Sequence, residues 1–159
     1  MFSEVFNHKS ILMKCLSVLI IAFLISFLTV AVFVVSVDGS EYSFSVGRNN
    51  YKNFSSLLYT QTDRFIATTS LTCENGSLPA GYLGACARIY KQNSDGSTYS
   101  LVSQGAWSYS TGTNNQVAAL KSYSNPAKGY YIGSGQTAVY YNGDYQRDWT
   151  YGTPLIQVK

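Results

Sequence analysis

The sequence predicts a mainly β protein: one antiparallel β-sandwich or barrel-like domain, preceded by a single N-terminal transmembrane or signal helix. Three observations carry this. Residues 15–37 contain no charged side chain, whereas charges are scattered through everything that follows. Beyond residue 40, runs rich in β-branched and aromatic residues recur, with Gly, Asn, Asp and Pro between them. No stretch there has a convincing helical period, and Phe54 to Leu58 supplies one helical turn at most.

The division into segments follows from charge. Residues 1–14 read as a cytoplasmic n-region, with Lys9 and Lys14 before the apolar run. Residues 15–37 read as a transmembrane anchor or a signal-peptide core. A helix from Cys15 to Val35 is about 30 Å long, enough to cross a bilayer. Small residues suited to a signal peptidase also occur, at Ser36 and Gly39. Basic residues before the run and Asp38 and Glu41 after it direct residues 38–159 outward. The expected location is therefore the cell membrane with an extracytoplasmic C-terminal domain, or the exterior after cleavage near Ser36 to Gly39.

Within 38–159, Arg64 to Cys73 is rich in β-branched residues and reads as a strand. Ala85 to Gln92 and Ser97 to Ser103 flank Asn93-Ser94-Asp95-Gly96, a hairpin turn in which Gly96 supplies positive φ. Trp107 and Tyr109 alternate with Ser108 and Ser110, the period of a half-buried strand. Gln116 to Tyr123 follows and is broken by Asn125-Pro126. Tyr130 to Ile132 and Gln136 to Tyr141 read as a hairpin about a Gly133-Ser134-Gly135 turn. Asn142-Gly143, the strongest turn signal, leads to Asp144–Thr150, and Leu155 to Val158 closes the chain.

The outer part carries nine basic and seven acidic residues, dispersed singly. That balance excludes a nucleic-acid partner, which needs a clustered basic surface. It also contains two cysteines, Cys73 and Cys86, across a segment with turn residues. An even count outside the cytosol predicts a Cys73–Cys86 disulfide, which in the chain-entropy model adds about 3 kcal/mol.

The chain's one histidine, His8, precedes the apolar run. The outer domain therefore lacks the base of Ser-His-Asp and Cys-His hydrolases and the usual zinc ligands. Asn93, Asp95 and Ser97 alternate like the start of a calcium loop, but no acidic residue closes the set. No metal, cofactor or catalytic residue is expected. Glycosidase chemistry is the class that the missing histidine leaves open. Its closest carboxylates, Asp144 and Asp148, sit about 13 Å apart along a strand, an awkward spacing for a catalytic pair. Asn53-Phe54-Ser55 and Asn75-Gly76-Ser77 match the glycosylation acceptor pattern, at a frequency chance alone explains.

Tyrosine is the compositional anomaly, with 14 in the chain. Neighbours such as Tyr130-Tyr131 and Tyr140-Tyr141 must point to opposite faces of a strand, one into the core and one outward. Tyr131, Tyr141, Tyr145, Trp149 and Tyr151 form the predicted aromatic binding surface. Rings of this kind stack on sugars or anchor a protein partner. Purely structural cross-strand pairing is the competing account.

The segments Leu-Pro-Ala-Gly-Tyr-Leu-Gly-Ala-Cys-Ala-Arg-Ile-Tyr (78–90) and Gly-Tyr-Tyr-Ile-Gly-Ser-Gly-Gln-Thr-Ala-Val-Tyr-Tyr-Asn-Gly (129–143) resemble the small exported all-β proteins of Gram-positive bacteria. The resemblance spans about the last 80 residues. It implies export and supplies no catalytic residues. The function expected from the whole is non-enzymatic binding at the cell surface, of envelope glycan or of a protein. The alternative is a secreted bacteriocin-like or membrane-acting toxin, suggested by the alternating polar stretch Ser97–Ser124.

Overall fold

Eleven strands, all antiparallel, make up the computed structural model, which describes residues 34–159. The first sheet contains β1 (Val35–Asp38), β2 (Tyr42–Val46), β3 (Asn49–Thr60), β4 (Arg64–Cys73) and β8 (Gln116–Ser124). The second contains β5 (Leu83–Gln92), β6 (Tyr99–Gln104), β7 (Ser108–Tyr109), β9 (Gly129–Tyr141), β10 (Asp144–Trp149) and β11 (Ile156–Val158). Long strands are flanked by pairs of short ones. β1 and β2 share one edge of β3, β10 and β11 one edge of β9, and β6 and β7 one edge of β5.

The turns follow their chemistry. Asn142 and Gly143 both have positive φ, 52° and 89°, as a two-residue hairpin of type I′ requires. Gly96 has φ 72°, and the Asp95 carboxylate accepts from the backbone N–H groups of Ser97 and Thr98. Asn125 takes φ 52° immediately before Pro126 and ends β8.

One core lies between the sheets. It joins Leu57, Phe65 and Leu71 of the first to Leu83, Ile89, Tyr131 and Val139 of the second. Inward residues alternate along β3, where Tyr51, Asn53, Ser55 and Leu57 are buried and Lys52, Phe54, Ser56 and Leu58 are half-exposed. The middle of the core is polar. Asn53 Nδ2 donates to Thr137 Oγ1 at 2.9 Å, and Ser55 Oγ lies 2.8 Å from Thr69 Oγ1 and 2.7 Å from Thr150 Oγ1. Thr150 in turn accepts from the Gly135 N–H at 2.9 Å. This seam ties both sheets together, and hydrogen-bonded groups of this kind offset their own desolvation. Asn53 Oδ1 is its exception, buried without a protein partner.

Several expectations are corrected. Gly133-Ser134-Gly135 is not a turn but the centre of the 13-residue strand β9. Neither glycine has positive φ; both are there for closeness. A Cβ on Gly133 would sit 3.1 Å from Leu57 Cβ, and one on Gly135 would collide with Thr69 and lie 2.6 Å from the Cys86 carbonyl oxygen. Phe54 to Leu58 is part of β3, paired with Ile66–Ser70 of β4 and not helical.

The Cys73–Cys86 disulfide does not form: both cysteines are buried thiols. The reason is strand alternation. Cys73 belongs to the core between the sheets, as do Leu83, Ala85, Ala87 and Ile89 of β5. Cys86 lies between those residues in sequence and points to the opposite, outer face of the second sheet. Its thiol approaches the Gly105 carbonyl oxygen at 3.4 Å, whereas that of Cys73 approaches Asn75 Oδ1 at 3.8 Å.

The apolar run of residues 15–37 lies outside the described residues except for its end. That end is a strand: Val35–Asp38 pairs with Ser56–Tyr59 as β1. Among the described residues no helix is present.

Candidate functional site: the outer face of the second sheet

Register decides which residues share a face. Opposed residues of neighbouring strands point the same way, and every second residue repeats it. Trp149 of β10 is opposite Gln136 of β9, which is opposite Cys86 of β5. One step along, Arg147 is opposite Ala138, which is opposite Gly84, itself opposite Tyr109 of β7. Tyr145 and Tyr140 are opposed in the next row. Arg88 is opposite Ser134, beyond the Trp149 row. All these side chains belong to the face turned away from the core.

The floor of this face is small, and its upper layer consists of rings and guanidinium groups. Gly84, Cys86, Ser134 and Ala138 are buried although they face outward. Their cover is lateral. The Tyr109 ring lies so close over Gly84 that a Cβ there would be 2.8 Å from Tyr109 Cε1. The Arg88 guanidinium lies 4.7 Å from the Trp149 ring centre and donates from Nη2 to Gln136 Oε1 at 2.8 Å. Arg147 lies 5.6 Å from the Trp107 ring centre.

The rings continue into one another. Trp107 stacks near Tyr109 at 6.0 Å, Tyr109 meets Tyr145 at 5.3 Å, and Tyr145 meets Tyr140 edge-on at 5.3 Å. Tyr140 meets Tyr82 at 5.2 Å. Tyr145 is held by its hydroxyl, which donates to the Gly81 carbonyl at 2.7 Å. Burial, then the neighbouring tyrosines Tyr109 and Tyr140, raise its pKa above the ordinary phenol value. Tyr82, Tyr140 and Tyr145 line, with Ala80 and Gly81, a shallow pocket of about 210 Å³ at this end. At the other end Tyr90 and Leu101 are opposed, followed by Tyr130 and Tyr99.

The five residues of the predicted aromatic surface are divided. Tyr145 and Trp149 share the outer face. Tyr131 is fully buried, its ring 4.8 Å from that of Phe65. It is the inward member of its pair, and Tyr130 is the outward one. Tyr141 is exposed but points the other way, against Gly47, where a Cβ would meet its ring. Tyr151 is exposed beyond β10 and packs edge-on against Tyr42 at 5.4 Å.

Sequence reasoning missed Tyr82, Arg88, Trp107, Tyr109, Tyr140 and Arg147. The signal was the two-residue alternation of 82–90 carried across to 130–140 and 145–149. Placing a turn at Gly133–Gly135 removed the register that connects those runs.

The weaker site readings find a local explanation in the geometry. Asp144 and Asp148 each accept from the next backbone N–H, those of Tyr145 and Trp149. Among the described residues no group of three or more His, Cys, Asp or Glu is placed to hold a metal. Asn53 of the first glycosylation pattern is fully buried, and Asn75 of the second is exposed. Comparison with protein-family models gives no match, nor does comparison with curated proteins.

Proposed function

We propose that this protein is a non-enzymatic binding module whose outer second-sheet face holds a carbohydrate, at the surface of the cell to which its N-terminal apolar segment attaches it. One observation carries the reading. Tyr99, Leu101, Tyr109, Tyr130 and Trp149, all on that face, are large apolar residues more than a third exposed. Apolar surface left in water on one face marks a contact surface. Flat rings beside amide and guanidinium donors suit a sugar, which offers an apolar ring face and an equatorial fringe of hydroxyls. Trp149 is held by Arg88 and Tyr109 by Trp107 and Tyr145, so little of their side-chain entropy remains to be lost on binding.

The test is co-sedimentation of the full chain, in detergent micelles, with purified bacterial cell-wall sacculi. Tyr145→Ala and Trp149→Ala are expected to weaken retention severalfold. Tyr141→Ala and Tyr151→Ala, which lie off the face, are expected to retain it. Unchanged retention in both Tyr145→Ala and Trp149→Ala would remove the reading. The toxin alternative predicts dye release from liposomes instead. Its stretch Ser97–Ser124 is shared between sheets, with β6 and β7 in the second and β8 in the first.

A further inference from the structure

We propose that the ligand of this face is an anionic polysaccharide, its oxyanions met by Arg88 and Arg147 and its sugar rings by Trp149 and Trp107. The proposal rests on the reading of the face as a glycan platform and adds the charge of the glycan.

Charge is segregated in this domain. The outward positions of β5, β6, β7, β9 and β10 include two arginines and no Asp, Glu or Lys. The acids lie elsewhere. Asp144 and Asp148 occupy the alternate positions of β10, and Asp63 and Asp95 sit in turns. Glu41 and Glu74 flank Lys52 on the first sheet, at 3.7 and 3.0 Å. Those are the ion pairs among the described residues, so neither arginine of the face is neutralised by a carboxylate.

The arginines are also shaped for the task. Each lies against an indole ring, an arrangement that leaves part of the planar guanidinium fork for an anion. A guanidinium binds carboxylate or phosphate through parallel N–H bonds, which sets direction as well as affinity. Arg88 is pinned by Gln136, through Nη2, and by Trp149, with Nε buried and unpaired within the protein. Arg147, on the edge strand, is exposed.

Spacing makes the ligand a polymer. The row Tyr109, Gly84, Ala138 and Arg147 crosses four strands, and Trp149 stands in the row beside it. Three strand spacings make this platform roughly 14 Å wide. A single sugar ring does not cover that width, and a chain of several does.

The experiment uses the full chain in detergent micelles and three polymers. Polygalacturonate offers carboxylates, its methyl ester the same backbone without charge, and wall teichoic acid offers phosphodiesters. Affinity for at least one anionic polymer is expected to exceed that for the methyl ester by about tenfold. The preference should fall steeply with added salt and drop severalfold in Arg147→Gln. Whichever anionic polymer binds more tightly names the oxyanion. Equal affinity for charged and esterified polymers would overturn the charge assignment and leave the glycan platform standing. Binding to none of the three would overturn both.

Discussion

Arg88 and Trp149 meet across β9, guanidinium against indole, 4.7 Å from carbon to ring centre. They come from β5 and β10, strands that do not pair with each other, and the residue between them is Ser134 or Gln136. Ser134 is short enough for the arginine to pass over it, and Gln136 accepts its Nη2 hydrogen bond. The contact is worth about 1–2 kcal/mol where partly desolvated. It fixes a cation and a flat apolar ring side by side, which is the pairing a charged sugar needs.

The buried thiols give the first prediction. Cys73 points into the core from the first sheet and Cys86 points outward from the second, so oxidation cannot join them without unfolding. Protein recovered from an oxidising medium is expected to keep both Cys73 and Cys86 as free thiols by mass. Its thermal midpoint should be the same with and without reductant. A mass two hydrogens lighter would contradict the strand alternation on which every face assignment depends.

Close approach at β9 gives the second. A methyl group on Gly135 would collide with Thr69 and with the Cys86 carbonyl, whereas one on Gly133 meets neighbours at 3.1 Å. Backbone cannot step aside as a side chain does. Gly135→Ala is expected to cost about 3 kcal/mol, and Gly133→Ala about 1 kcal/mol. Urea denaturation of the two variants tests the order, and equal costs would show that the sheets are further apart.

Much of this fold was legible in the sequence because turns and alternation are local. Arg64–Cys73 was bounded to the residue as β4, and Asn142-Gly143 and Asp95-Gly96 turn where their chemistry says. The span Asn49–Thr60 was not legible. Its inward positions, Asn53 and Ser55, are polar because they sit in the seam opposite Thr137 and Thr150, so no apolar alternation marked the strand. Gly133 and Gly135 misled for a related reason. A glycine needed for close approach and one needed for positive φ look alike in sequence. The candidate face was half legible: Tyr145 and Trp149 were found, whereas Arg88 and Trp107 required knowing which strands are neighbours.

Tyrosine ionisation gives the third prediction. The pKa is raised by burial at Tyr51, Tyr131 and Tyr145, and chiefly by the hydrogen bond to Asp63 at Tyr59. The unfolded chain then loses these protons first, from about pH 10. Their contribution to stability is full below that value and is lost as pH rises through the folded values. Tyrosinate absorbance is expected to show two classes, the second appearing only with loss of the β circular dichroism signal. A single transition near pH 10 with the fold intact would contradict the burial of Tyr131.

The N-terminal boundary gives the fourth. β1 covers the C-terminal half of β3, with Val37 packed on the core and the Gly39 N–H donating to the Ser55 carbonyl at 2.8 Å. Cleavage after Ser36 or Gly39 would strip that edge. A chain beginning at Ser40 is expected to be about 1–3 kcal/mol less stable than one beginning at Val34. Equal melting temperatures would show that β1 is dispensable, and a natural N-terminus at Ser40 would place the strand in the discarded leader.

The most direct test uses the chain's own two tryptophans, Trp107 and Trp149, both of which lie in the outer face of the second sheet. Titrating the full-length protein with an anionic wall polysaccharide should shift or quench their emission saturably, and Trp149→Phe should remove part of the change. Polymer that co-sediments with the protein while the emission stays constant would place the ligand elsewhere and contradict the account.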